Sequence, residues 1–269
     1  MDLSIIVPCY NEVDNVAKLE AELLPIVQNL VMTQSVELIF IDDGSTDGTL
    51  TTLQKVLQYH KALQSVELKF EKHPTNLGLG AAIRTGLTAS TGQVIVTTDS
   101  DGTYKFSNIP KMLTYLEEDV DIVTGSPYHP EGGVVGVPRY RLILSQGSSM
   151  LYRIFVDWNI HTYTCLFRAY RRRVIEDVSF SSNGFLAGTE ILVKAMLKGY
   201  RVAEYPAVLY SRIHGVSKAK LARTIWAHLR FQGKIILHKL HLKRLVNTNN
   251  AGGSRWKKPS LSSLEVPKK

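Results

Sequence analysis

The chain has 269 residues, 44% hydrophobic and 21% charged, enough apolar content to bury the core of one large α/β domain. Its two cysteines, Cys9 and Cys165, are far apart and carry no CxxC or Cys/His spacing, which excludes a disulfide framework or a cysteine-ligated zinc site and suits a reducing cytosol. The net charge of +8 is unevenly placed: residues 1–217 hold 19 Lys and Arg against 23 Asp and Glu, whereas 218–269 hold 13 against Glu265 alone, so a mildly acidic body carries a basic C-terminal element suited to an anionic partner.

In chain order, apolar and β-branched runs at 3–7, 36–41, 66–69, 94–98 and 121–124 predict strands, and helical periodicity covers 16–30, 49–63, 80–89 and 108–118 between them. This alternation predicts a mainly parallel sheet with helices on both faces, its post-strand loops on one common edge. Beyond Pro127 the rhythm changes: 128–138 reads as a Gly- and Pro-rich loop, 139–156 as a helix, 163–170 as a strand, 190–198 as a helix and 201–210 as one or two strands around Pro206. The first strand breaks at Pro8 with no basic segment and long apolar core behind it, so no signal peptide is expected. No run reaches the roughly 18 apolar residues of a membrane-spanning helix.

The strand at 94–98 delivers Asp99 and Asp101, one residue apart, to that edge. Two such acids repel, so a pocket retaining both needs a cation, for which an oxygen-ligated Mg²⁺ or Mn²⁺ with open positions for phosphate is suited. An acidic turn capping the next helix is the other reading. Tyr10 after the first strand can stack on a base, Asp42 or Asp43 after the second can accept from base or ribose, and Gly44 to Gly48 lets backbone approach a ligand. Asp47 is expected to cap the helix starting near Thr49.

Pro8-x-Tyr10-Asn11-Glu12, Asp42-Asp43-Gly44-Ser45-x-Asp47-Gly48-Thr49, Asn76-x-Gly78-Leu79-Gly80, Asp99-x-Asp101 and Arg212-x-x-Gly215-x-Ser217-Lys218 together resemble the family 2 glycosyltransferases, and most of all those that act like dolichol-phosphate mannosyltransferases. The resemblance implies a GT-A fold over 1–217, with 1–126 holding a nucleotide sugar of the GDP-mannose or UDP-glucose type and 127–217 the acceptor. It implies inverting transfer of a hexose to a polyprenyl or dolichyl phosphate. Carried over by position, Pro8, Tyr10, Glu12, Asp42 and Asp43 contact the nucleoside, with Gly78 and Ser100 beside the donor. Asp99 and Asp101 hold the metal, Arg212 and Lys218 neutralise the leaving diphosphate, and Arg141 with Ser145 binds the acceptor phosphate. An anionic acceptor needs no strong general base; a hydroxyl acceptor would, and Glu190 or Asp157 would be the places to look.

Three departures lie on the acceptor side. Thr103 stands where the family has a metal-binding Gln, Pro127 replaces the Arg of Gly-Ser-Arg-Tyr, and Thr162 to Arg168 loses the acid and the glycine of the usual segment. They motivate one alternative, a non-catalytic relative that binds nucleotide sugar and membrane. The run Asp99-Ser100-Asp101-Gly102-Thr103 also resembles the nucleophile motif of haloacid-dehalogenase-type phosphatases, with Asp99 attacking phosphorus. Gly78-Leu79-Gly80 is read as a helix start and close-packing point, not as a dinucleotide fingerprint.

Residues 218–245 place Leu221, Ile225, Leu229, Ile236 and Leu240 at helical spacing among Lys and Arg. This predicts a basic amphipathic helix that either docks on an anionic membrane or covers the sheet with a solvated basic face. Nucleic acid is not an expected partner, since the stripe lacks interleaved aromatics and a recognition fold. A peripheral location at the cytoplasmic membrane face is expected, with room for a membrane partner subunit. The Asn-, Gly-, Ser-, Pro- and Lys-rich 246–269 reads as a disordered tail. Arg171 to Arg173 read as a solvated strand end and Arg168 as a structural ion-pair partner.

Overall fold

The computed structural model describes residues 1–57, 60, 63–212, 221–242 and 244–246. Nine strands are formed among them: β1 (Leu3–Cys9), β2 (Val36–Asp42), β3 (Glu67–Lys72), β4 (Val94–Thr97), β5 (Ile122–Ser126), β6 (Gly133–Val135), β7 (Arg168–Arg171), β8 (Val202–Pro206) and β9 (Val208–Tyr210). Seven make one sheet in the order β3-β2-β1-β4-β7-β5-β8, and β6 pairs with β9 in a small second sheet. The helices are α1 (Val16–Lys18), α2 (Leu24–Val31), α3 (Thr49–Leu57), α4 (Leu79–Ala89), α5 (Asn108–Thr114), α6 (Arg139–Phe155), α7 (Arg172–Asp177), α8 (Ala187–Leu197) and α9 (Leu221–Lys239).

The side-chain period of two along each strand divides the core between the two faces. Leu3, Ile5, Val7 and Cys9 of β1, with Val36, Leu38 and Phe40 of β2, pack on one face, and Ile6, Ile39, Ile41 and Ile95 pack on the other. Parallel pairing sets Cys9 beside Asp42 and Ile6 beside Thr97, so β1, β2 and β4 end on one edge. The loops carrying Tyr10, Asp43 and Asp99 are thereby gathered, as the alternation predicts.

Several elements differ from the sequence reading. The expected helix over 16–30 is interrupted by a π turn at Leu19–Leu23, just before Pro25, which has no N–H to continue an α ladder. The expected strand over 163–170 shrinks to β7, which runs antiparallel to β4 and β5. Carbonyls in 163–167 are taken by other donors: Tyr163 O accepts from Arg168 Nη2 at 2.6 Å and Thr189 Oγ1 at 2.9 Å, and Leu166 O from Thr97 Oγ1 at 2.6 Å. Arg168 is fully buried and makes no ion pair among the described residues; its fork is satisfied by Thr124 Oγ1, Gly188 O and Tyr163 O, all neutral. The solvated end expected over Arg171 to Arg173 is met only by Arg173, which is exposed and pairs with Asp121 (2.6 Å); Arg171 Nε donates to Val120 O (2.8 Å) and Arg172 Nε to Gly92 O (2.6 Å), both half-buried. The loop expected over 128–138 contains β6, whose Val134 and Val135 pair with Leu209 and Tyr210. Lys218 and the tail from 247 lie outside the described residues.

At the opposite end of the sheet, Glu37 is fully buried on β2 and accepts from Lys69 Nζ at 2.6 Å, Ser4 Oγ at 2.5 Å and the N–H groups of Thr91 (2.5 Å) and Gly92 (3.1 Å). Burial alone would raise its pKa, but Lys69, Ser4 and Thr91 outweigh it and hold the carboxyl at about 2. Its stabilising contribution is therefore present above the ordinary carboxylate range and is lost as pH falls towards 2. Glu37→Gln is expected to lower unfolding free energy by roughly 3 kcal/mol at pH 7 and by less at pH 3, read from denaturant titrations at both pH values.

Candidate active site

Where β4 ends, Asp101 is buried and its carboxylate is held from two sides. Oδ1 accepts from Thr103 N at 2.9 Å and Oδ2 pairs with Arg212 Nε at 2.5 Å. Arg212, two residues past β9, also reaches Glu12 Oε1 with Nη1 at 3.4 Å. Asp99 opens onto a cavity, with Thr103 Oγ1 at 3.5 Å from its Oδ2. Burial, and then the charge of Asp101, push the Asp99 carboxyl up to about 7. Among the described residues, Glu12, Asp99 and Asp101 thus gather around the guanidinium of Arg212.

That crowding of negative charge fits a hard divalent cation held by Asp99 and Asp101, with oxygen ligands throughout. No group of three or more His, Cys, Asp or Glu is placed to hold a metal among the described residues; a cation held by Asp99 and Asp101 would draw its other oxygen donors from a ligand or water. Thr103 places its hydroxyl beside Asp99.

The residues expected at the nucleoside lie on β1, β2 and the loops that follow them. Pro8 lies in β1 opposite Ile41, and Glu12 N–H donates to Thr49 Oγ1 at 2.8 Å while its Oε2 accepts from Asn15 Nδ2 at 2.5 Å. Asn11, at φ 50°, joins the 45–46 turn to the β1 loop through Ser45 Oγ (2.9 Å) and Thr46 N–H (2.8 Å), with Tyr10 partly exposed beside it. Asp47 caps α3 as expected, accepting from Thr49 N at 3.0 Å, and its other oxygen takes Val13 N–H at 3.1 Å. Asp42 is buried and accepts from Ser45 N at 3.1 Å.

Asp43 is a structural hub. It accepts from Asn76 Nδ2 (3.0 Å), Leu77 N (2.9 Å), Gly78 N (2.8 Å) and His73 Nδ1 (2.7 Å), and His73 Nε2 in turn takes the Thr85 hydroxyl at 2.8 Å. The carboxylate therefore shapes the loop 73–78 from inside. Gly78, at φ 99°, is required there because a Cβ would lie 2.3 Å from Asn183 O, which is the close packing expected at the start of α4. Ser100 is buried between the two metal-site acids.

Arg141 and Ser145 sit one turn apart on α6, lining a cavity of about 640 Å³ that reaches from Asp99 and Thr103 to the partly exposed Ile143, Ile225 and Leu229 of α6 and α9. Ser145 Oγ bonds Thr164 Oγ1 at 2.7 Å, whereas Arg141 Nε donates to Tyr140 OH at 3.2 Å on the exposed side of α6. Pro127 and Tyr128 line the same space. The only carboxylate among the described lining residues is Asp99. Glu190 is tied to Lys194 (2.7 Å) and Ser182 N (3.0 Å), and Asp157 to Asn159 N (2.9 Å), both away from the cavity. Sequence reasoning missed the groove wall, including Tyr104, Thr164 and His228, because only tertiary packing of α6 on α9 gathers these residues. Burial lowers His228 to about 4, so it lines the groove as a neutral ring bonded to Tyr152 OH at 3.0 Å.

Residues 4–179 match the glycosyl transferase family 2. The chain is 30% identical over 254 residues to a dolichol-phosphate mannosyltransferase of Pyrococcus furiosus, covering 94% of this chain and 68% of that protein. It is 31% identical to a polyprenol monophosphomannose synthase of Mycolicibacterium smegmatis, covering 80% of this chain and 79% of that one. In fold it matches glucosyl-3-phosphoglycerate synthase from Mycobacterium tuberculosis solved with Mn²⁺ and UDP, at TM-score 0.62 and 18% identity over 91% of this chain and 81% of the other. A mannosyltransferase from Pyrobaculum calidifontis solved with GDP-Man and Mn²⁺ gives TM-score 0.56 at 20% identity, over 87% and 64%. The architecture is GT-A.

Asp43→Asn replaces an all-acceptor group with one that turns an NH₂ towards N–H donors. It is expected to lower stability by about 1–3 kcal/mol and to weaken nucleotide binding through the 73–78 loop, read by denaturant titration and by nucleotide titration of the folded variant.

Proposed function

Because the chain belongs to glycosyltransferase family 2, we propose that it transfers a hexose from a nucleoside diphosphate sugar to a polyprenyl phosphate, with inversion, at the cytoplasmic face of a membrane. The observation that carries the acceptor class is the cavity, which joins the acid cluster to an apolar groove and, among its described lining residues, offers no carboxylate except Asp99. With Asp99 committed to the metal, a hydroxyl nucleophile entering there would find no other carboxylate among the described lining residues to act as general base, whereas a phosphate monoester arrives ionised. Both sequence relatives are named for mannose, so GDP-mannose is the first donor to test, ahead of UDP-glucose.

In this reading Tyr10, Glu12 and Asp42 surround the nucleoside, and Asp43 and Gly78 shape the wall behind it. Asp99 and Asp101 would hold Mg²⁺ or Mn²⁺, which neutralises the diphosphate as it departs. Arg212 would exchange Asp101 for the diphosphate, and Lys218, which the resemblance assigns the same role, would add a second positive charge against the charge building on the leaving group. The acceptor phosphate oxygen, steered by Arg141 and Ser145, forms the new C–O bond at the anomeric carbon as the bond to the nucleoside diphosphate breaks on the opposite side. The family assignment displaces the phosphatase alternative.

The membrane reading is supported by apolar side chains left outside the core on the two helices that border the groove: Ile143 (68% exposed) and Ile154 (56%) on α6, and Trp226 (68%) and Leu240 (60%) on and just after α9. α9 buries His228, Phe231, Gln232 and Ile235, so the Leu221, Ile225 and Leu229 stripe remains partly open to solvent beside basic residues. That surface suits insertion into an anionic interface. No helix among the described residues is long and apolar enough to cross a membrane.

A thermal-shift screen of GDP-mannose, UDP-glucose and the free nucleotides, each with and without Mn²⁺, tests the donor and metal. Stabilisation of about 2.7 kcal/mol is expected at a hundredfold excess of the true donor over its Kd, only with metal. Metal displaces the proton that the raised Asp99 pKa favours, so the gain grows from pH 6 to pH 8. Asp101→Asn is expected to remove the metal-dependent part and to lower turnover about 10²–10³-fold. A non-catalytic relative would instead lose affinity with no turnover to lose.

A further inference from the structure

Lys18 reaches the metal-site loop from behind. Its Nζ donates to Asp101 O at 3.0 Å and lies 3.5 Å from Gly102 O, so two successive backbone carbonyls converge on one ammonium. In a trans peptide the C=O and the following N–H point in opposite directions. Turning the Gly102 carbonyl towards Lys18 therefore turns Thr103 N–H the other way, where it donates to Asp101 Oδ1 at 2.9 Å. That bond sets which carboxylate oxygen is left for Arg212, namely Oδ2 at 2.5 Å.

Two independent features make this approach available. Gly102 adopts φ 63°, and a Cβ on it would lie 2.7 Å from Lys18 Cε and 2.8 Å from Nζ, so a side chain there would both strain the backbone and push the ammonium away. The π turn Leu19–Leu23 begins immediately after Lys18. One extra residue in a turn rotates the C-terminal part of a helix by roughly 100° relative to its N-terminal part. Lys18 can then face the loop while Leu19, Leu23, Leu24 and Val27 face the core.

We infer that Lys18 is a positioning residue of the metal site: through the 102–103 peptide it fixes the Asp101 carboxylate for the cation and for Arg212. The effect on metal rests on the proposed reading of Asp99 and Asp101; the effect on the loop does not.

The test uses the full chain with Lys18→Met, which keeps length and removes charge, and Gly102→Ala, which leaves Lys18 but displaces it. Hydrogen exchange of the segment 99–104 in the metal-free protein is expected to speed up in both variants, with exchange in β1 and β2 unchanged. Mn²⁺ affinity in the presence of the nucleoside diphosphate, followed by electron paramagnetic resonance, is expected to weaken by about tenfold, as when other groups that orient a metal ligand are removed. Nucleotide affinity without metal stays within about twofold of the parent, and Lys18→Arg recovers part of the loss. A lower thermal midpoint with unchanged exchange at 99–104 would make Lys18 a general stabiliser and overturn the inference. If the parent protein binds no Mn²⁺, the metal reading fails and the exchange measurement alone decides the role of Lys18.

Discussion

The arrangement at the sheet edge depends on one electrostatic constraint: among the described residues, Glu12, Asp99 and Asp101 gather around the guanidinium of Arg212, so like charges crowd at one point. Parallel pairing of β1 with β2 and β4 creates the crowding, because it forces three loop starts onto the same edge. Arg212 comes from the far end of the chain and crosses to Glu12, closing the second half of the sequence over the first. A site poised in this way attracts cations and the polyanions they carry, which is the chemistry of a nucleoside diphosphate sugar.

The opposite end of the sheet shows how a buried acid behaves when its charge is balanced. Glu37 meets Lys69, two backbone N–H groups and a serine, and its pKa falls to about 2, whereas Asp99 rises to about 7. Both are strand-associated carboxylates removed from bulk water. The difference lies in partners, and it separates an acid that holds the fold together from one prepared for a ligand.

The parallel sheet, its common edge and the short acidic motifs were legible because each depends on local pattern: apolar runs of strand length, glycine at turns, and two acids one residue apart. Asp47 was readable as a cap for the same reason. Less legible was everything set by distant partners. Arg168 looked like half of an ion pair, yet the chain wraps Tyr163, Thr124 and Gly188 oxygens around it, and no periodicity signals that. The strand expected over 163–170 failed with it, since those carbonyls serve side chains instead of a neighbouring strand. Asp43 carried a motif but not its task, because His73 and the loop to Gly78 reach it only after β2 and β3 pair. Lys18 sat in an ordinary amphipathic stretch, and only its distance to the 101–102 carbonyls distinguishes it.

The cavity links the two chemistries, with acids and hydroxyls near Asp99 and apolar helix faces at α6 and α9. The measurement that bears most directly on this is transfer of labelled hexose from the donor to farnesyl phosphate and, in parallel, to farnesol, in detergent with Mn²⁺. Label is expected on the phosphate alone, because Asp99, the one carboxylate among the described lining residues, is committed to the metal in this reading and cannot activate the alcohol. Equal transfer to farnesol would contradict this, by requiring a general base that the described groove between Asp99 and α9 does not contain.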